Sequence, residues 1–365
     1  LPPIPPHGTG VVKLFDPAVL RDMPLDRDIW LQVSFRFCAP PAWCDGAHEV
    51  TFGQALLRGS VAPMQVSAPL GALRLMEASE RAVVVETGKA VYRFDPVQGL
   101  LEKCSVGGRD LIWRGLDFHF YRAPLDNDIN EKQIWEQAMI RSVVNVVDSV
   151  EVEELEERIQ LTVEKSYHPF ALDWRIALKI LYTITPDGRL AVEVWGEPKG
   201  KLPSSLPRIG MRMQLDRSCE KVRWYGRGPG ECYCDCKSGF PVGIYESTVQ
   251  DMYFPYVRPQ EHGNRTDVRW VWLGGAESGL YFQGAQPFNF TALHYSTEML
   301  ERAEHTNELE RDEKIWLTLD HRHHGIGSAS WGAPVTESHV LLPEPFHFSW
   351  SVQPMSEEEL ARLNG

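Results

Sequence analysis

The sequence predicts an all-β protein made of antiparallel sheets. Three features of the chain predict it: many short segments of period-two patterning, turn residues between them, and few helical segments with no strand–helix–strand rhythm. Residues 29–37 (IWLQVSFRF) alternate and are rich in β-branched and aromatic side chains, which suits a half-buried strand. Residues 81–87 (RAVVVET), 90–94, 158–164 and 176–184 (IALKILYTI) follow the same pattern. So do residues 189–195 (RLAVEVW), 268–273, 314–320 and 346–352. Gly107-Gly108, Pro186-Asp187-Gly188 and Gly274-Gly275 punctuate the strands as turns. Helix is expected over 130–141 (NEKQIWEQAMIR) with Asn130 as its cap, and as short turns over 296–303 and 356–363.

Composition sets outer bounds. The 365 residues suffice for two or three domains, and 43% hydrophobic with 24% charged residues is a soluble globular profile. A formal charge of −13 argues against nucleic acid and anionic membrane as partners. No apolar run approaches the roughly 20 residues that a membrane span needs, and the opening LPPIPPHGTG does not read as a secretory signal. Seven cysteines, an odd number, favour reduced thiols in a cytoplasmic setting. The small-residue and Pro-rich stretch 58–72 reads as a boundary. The expected parts are 1–68, 69–355 and a C-terminal tail over 356–365. The first is too small to bury much core alone and resembles the second half of a domain.

Five motifs carry chemistry. RAPLDND (122–128) is either a polar loop lining a carbohydrate cleft or an Asx-rich turn closed by an ion pair. Residue chemistry favours the turn, because such side chains supply their own local hydrogen bonds. WYGRGPGE (224–231) suggests a tight loop, without the context of a phosphate-binding loop. Cys232, Cys234 and Cys236 alternate, which on a strand places them on one side. A thiol cluster without metal is favoured over zinc, since no second cysteine pair is present. GNRTDVRW (263–270) reads as a strand bearing a buried ion pair. In DHRHHGIGSASW (320–331), His321 and His323 read as surface histidines beside a glycine turn rather than metal ligands, and Trp331 sits on a loop suited to ligand stacking. No hydrolytic signature is present: there is no Gly-x-Ser-x-Gly elbow and no His-Glu-x-x-His. Asn307-Glu308 lies in a charged, solvated run rather than among paired catalytic carboxylates.

Taken in order, RAPLDND (122–128), WYGRGP (224–229), the run 246–270, HTNEL (305–309) and HGIGSASWGAP (324–334) resemble the C-terminal domain of lac-type β-galactosidases of glycoside hydrolase family 2. The resemblance runs from about Met76 to Val352, and the front piece resembles the end of the preceding immunoglobulin-like domain. It implies a large antiparallel supersandwich, galactose mutarotase-like, behind a partial immunoglobulin-like β-sandwich. It further implies that the chain is the C-terminal part or small chain of an oligomeric enzyme that hydrolyses terminal β-galactosides with retention. The catalytic carboxylates and a magnesium ion then lie in a TIM barrel outside this chain, with no catalytic residue and no metal ligand here. By motif position Trp331 contacts the galactoside, and Met139, Ser330, Asp126, Asn127 and Asp128 border the site. Three places depart from the family pattern. ECYCDC (231–236) stands for Glu-Asn-Tyr-x-Asp-Arg, GSASW (327–331) for Gly-Asp-Asp-Ser-Trp, and Met139 for a glycine after the tryptophan matched by Trp135. A stand-alone carbohydrate-binding module with a mutarotase-like cleft is the alternative. A mutarotase ranks last, because no carboxylate base and histidine acid are assigned.

Overall fold

The computed structural model describes residues 3–44, 48–59, 71–327 and 334–364. The chain divides into two compact units, Leu1–Val66 and Ser67–Gly365. In the first, strands β1 (Ile29–Arg36) and β2 (Glu49–Arg58) form an antiparallel hairpin. Arg58 ties it to the preceding segment by donating to the carbonyls of Leu20, Met23 and Pro24. None of this unit's described residues is buried.

The second unit is all-β, as the period-two patterning requires. It begins with β3 (Leu73–Ala78), β4 (Val83–Thr87), β5 (Val91–Asp95), β6 (Leu100–Val106) and β7 (Arg109–His119). Helix α1 (Ile129–Gln137) precedes a meander of β8 (Val143–Leu155), β9 (Arg158–Pro169), β10 (Trp174–Ile184) and β11 (Leu190–Gly200). Then come β12 (Arg208–Leu215), β13 (Lys221–Arg227), β14 (Val242–Thr248), α2 (Val249–Met252), β15 (Arg265–Gly274) and β16 (Gly279–Leu293). Helix α3 (Thr297–Arg302), β17 (Ile315–His323), β18 (Phe346–Pro354) and α4 (Glu357–Asn364) complete it.

Sixteen strands form one antiparallel sheet system in the order β3-β4-β5-β6-β7-β12-β17-β16-β18-β11-β10-β9-β8, with β13 pairing β14 and β15, and β15 pairing β16. Strand β10 shows how the sequence drives this. Every second residue from Trp174 to Ile184 is buried, while Arg175 and Lys179 on the other face are exposed. Each such large apolar side chain contributes about 1.5–3 kcal/mol on burial. At the β6–β7 turn, Gly107 and Gly108 both take positive φ, 59° and 81°, which the tight hairpin between Val106 and Arg109 requires.

The helices depart in detail from expectation. α1 starts at Ile129, and Asp128 rather than Asn130 occupies the cap position. The Asp128 carboxylate makes no capping bond there, because Arg122 and the Leu125 amide hold it. α3 is capped by the Ser296 hydroxyl, which accepts from Met299 N–H. Residues 356–365, set apart as a tail, contain α4. A reciprocal Ser356–Glu359 capping pair starts this helix, and its Leu360 is buried within the second unit.

Candidate functional site

Strand β17 ends in the stem 324–327, and nearly every polar backbone group of this stem is taken by a side chain or a neighbouring loop backbone. Arg122, fully buried just after β7, donates through Nη1 to the His324 carbonyl (2.9 Å) and through Nη2 to the Gly325 carbonyl (2.9 Å). Asn127 donates through Nδ2 to the Ile326 carbonyl (2.9 Å). Asp235 Oδ2 accepts from the N–H groups of Ile326 (2.8 Å) and Gly327 (2.9 Å). His324 N–H donates to the Pro207 carbonyl and Gly325 N–H to the His339 carbonyl, while His324 Nδ1 accepts from Leu341 N–H. Gly325 is needed for this closeness: a Cβ there would lie 2.6 Å from both Asp235 Oδ2 and Val335 Cγ1.

Arg122 is itself locked. Its Nε and Nη2 form a bidentate pair with Asp128 (3.1 and 2.6 Å), and its Nη1 meets His323 Nδ1 at 3.2 Å. Four of the five N–H donors of the guanidinium thus meet oxygen acceptors, and the fifth faces the His323 ring. The guanidinium lies 5.3 Å over the ring of Trp135 in α1, whose Nε1 donates to Ser205. RAPLDND is therefore an Asx-rich turn closed by an ion pair, and that turn grips the stem.

Behind the stem is a second buried polar group. Arg208 in β12 reaches Glu261 Oε1 (2.9 Å) and Asp320 Oδ2 (3.2 Å), and His323 Nε2 lies 3.7 Å from Glu261. Burial raises the Asp320 carboxyl to about 7, with Arg208 pulling against it. Burial pushes Glu261 up, but Arg208, His323 and Arg122 together outweigh it and lower the carboxyl to about 2. Burial lowers His323 to about 4, and burial with the Arg122 charge lowers His324 to about 3.

The sequence-expected site residues fall as follows. Asn127 and Asp128 belong to the grip on the stem. Asp126 is exposed, and its N–H donates to Gln260 Oε1. Met139 follows α1 at φ 56°, the left-handed conformation in which a helix most often ends on glycine. Ser330 and Trp331 lie outside the described residues. Three expectations change. His323 is buried and His321 half-buried rather than both on the surface; Arg122 and the backbone of 207 and 341 enclose His323 and its neighbour His324. Residues 232–236 form an irregular turn rather than a strand, so Cys232 is buried, Cys234 half-buried and Cys236 exposed. In β15, the ion pair is half-buried rather than buried: Asp267 pairs with Arg227 and Lys237 from other segments. Among the described residues no group of three or more His, Cys, Asp or Glu could hold a metal ion.

A family model described as "Beta galactosidase small chain" matches residues 86–352. The chain belongs to this β-galactosidase small-chain family. The matched span includes every residue of the stem and its grip. A β-galactosidase of Priestia megaterium is 29% identical over 346 residues, covering 93% of this chain and 32% of the relative. One of Vibrio cholerae is 31% identical over 325 residues, covering 85% and 30%. The chain thus spans about a third of the length of the curated relatives it matches. A solved galactose 1-epimerase from Lactobacillus acidophilus superposes with a TM-score of 0.42 at 10% identity, covering 79% of this chain and 99% of that one.

The Asp235 carboxylate, Arg208 and Glu261 were missed by sequence reasoning. Asp235 lies inside the cysteine-rich run, where the thiols draw attention. Arg208 and Glu261 belong to no local pattern, and only the pairing of β12 with β17 brings Arg208 to Asp320.

Proposed function

We propose that this small-chain region completes a β-galactosidase that hydrolyses terminal non-reducing β-D-galactose residues with retention. The catalytic carboxylates and magnesium belong to a barrel-bearing part outside this chain. The assembly is an oligomer in the cytoplasm, and no helix among the described residues is long and apolar enough to cross a membrane. Trp331 contacts the galactoside, with Met139, Ser330 and residues 126–128 at the rim. The observation that carries this reading is the stem. Arg122, Asn127 and Asp235 fix the backbone immediately before 328–333 from two distant motifs. A side chain that contacts substrate gains from such fixing, because less freedom is lost on binding.

Trp331→Ala in the full assembly tests it. Losing a stacked aromatic contact costs about 1–3 kcal/mol of binding by analogy with buried aromatic anchors. The dissociation constant for lactose then rises by about fivefold to over a hundredfold. Unchanged lactose affinity refutes the role of Trp331.

A further inference from the structure

A cleft of about 300 Å³ opens on the second unit where residues 234–237, β15, β16, β17 and the segment 338–341 meet. Two irregularities shape it. β15 carries an extra residue against β16 between Arg265 and Val268, and β17 carries His321 as an extra residue against β12. Such bulges re-aim side chains. Asp267 sits in the first bulge at φ 53°, a strained conformation for a non-glycine residue. Its carboxylate is clamped by Arg227 Nε and by Lys237 Nζ, at 2.5 and 3.0 Å. Two cations therefore meet one anion, and positive charge is left over.

Arg322 adds to it. It lines the cleft, is exposed, and makes no hydrogen bond or ion pair among the described residues. Asp267 is the only carboxylate among the described residues lining this cleft, against Lys237 and Arg322. The cleft is thus a positive spot on a chain of formal charge −13. The Asn289 amide and Ser338 hydroxyl line it as neutral hydrogen-bonding groups. Among the described residues no Phe, Tyr or Trp ring lines it. A planar, unpaired guanidinium beside a lysine suits an oxyanion.

We propose that this cleft binds a small oxyanion, a phosphate or carboxylate group, through Arg322 with Lys237 behind it. The inference is independent of the galactosidase reading, because neither Arg322 nor Lys237 holds the 324–327 stem.

The test uses the 365-residue chain and calorimetric titration with inorganic phosphate at constant ionic strength. Saturable binding is expected, and Arg322→Ala weakens it by about tenfold or more. Arg322 has no partner to lose, so the variant keeps the wild-type thermal midpoint, and Arg322→Lys retains part of the binding. Galactose 6-phosphate binding more tightly than phosphate assigns a sugar phosphate. Equal affinity assigns the free anion. Either result supports an oxyanion site. No saturable heat with phosphate or acetate overturns the proposal. So does equal phosphate affinity in wild type and Arg322→Ala, which marks a diffuse ionic effect.

Discussion

Asp128→Asn removes one charge and almost no volume, which makes it a sharp probe of the grip on the stem. Asp128 is buried to 1% exposure beside a fully buried Arg122. Its Oδ2 accepts from Arg122 Nε and Leu125 N–H, and its Oδ1 from Arg122 Nη2 at 2.6 Å. An asparagine can keep its carbonyl at the Oδ2 position. Its NH₂ then faces Nη2, so donor meets donor and the guanidinium loses its counter-charge. A charge-assisted hydrogen bond of this kind is worth about 1.5–3 kcal/mol. With the buried charge left uncompensated, the expected loss is about 3–5 kcal/mol. In urea denaturation, at a slope of about 3 kcal/mol per M, the midpoint falls by about 1 M or more. A midpoint within about 0.2 M of wild type refutes the reasoning, since surface substitutions move stability that little.

Met139→Gly relieves a left-handed backbone that costs a non-glycine residue about 1–2 kcal/mol, and the thermal midpoint of the second unit rises. Gly325→Ala drives a methyl into Asp235 and Val335 and pushes the stem off its anchor. It lowers the urea midpoint in the isolated chain and weakens lactose binding in the full assembly. Stability also falls with acid. Burial keeps His119, His321, His323 and His324 neutral when folded, well below the ordinary 6.5, so unfolding takes up about three to four protons between pH 5 and 6. Their contribution is full above pH 6.5 and is lost as pH falls. Asp320 acts oppositely: raised to about 7, its contribution is full below about pH 4 and lost as pH rises, which releases one proton on unfolding in the same window. These five groups together give about two to three protons in the pH dependence of the urea midpoint, rising to about three to four in Asp320→Asn. An unchanged slope in that variant contradicts the assignment.

The architecture was legible where patterning is local. The alternation in 176–184 and 346–352 marks β10 and β18 because one face of each meets the core. Gly107-Gly108 marks a hairpin because only glycine takes those φ values cheaply. What period two hides is pairing. Nothing local says that β16 meets β18 through 280–284 and β17 through 289–293, or that β17 bulges at His321. The site was half legible for the same reason. Arg122 and Asp128 are neighbours in sequence, so an ion-paired turn could be read from RAPLDND. Their grip on 324–325, and Asp235's on 326–327, span about 90 to 200 positions of chain. The histidines looked exposed because a polar, glycine-bearing run usually is, and only the neighbours enclosing them bury them.

The strand order also bears on synthesis. β18 lies between β16 and β11 and is the one strand that joins β3–β7 and β12–β17 to the β8–β11 meander. It is also the last of these strands to be synthesised. Until residues 346–354 emerge, a growing chain presents two separate sheets, with β11 and the first half of β16 as open edges. Unpaired edges invite association with other chains. Closure of this unit therefore waits until its last strand has been made. A nonsense codon anywhere before β18 is expected to yield a polypeptide that chaperones must hold, not a shortened domain.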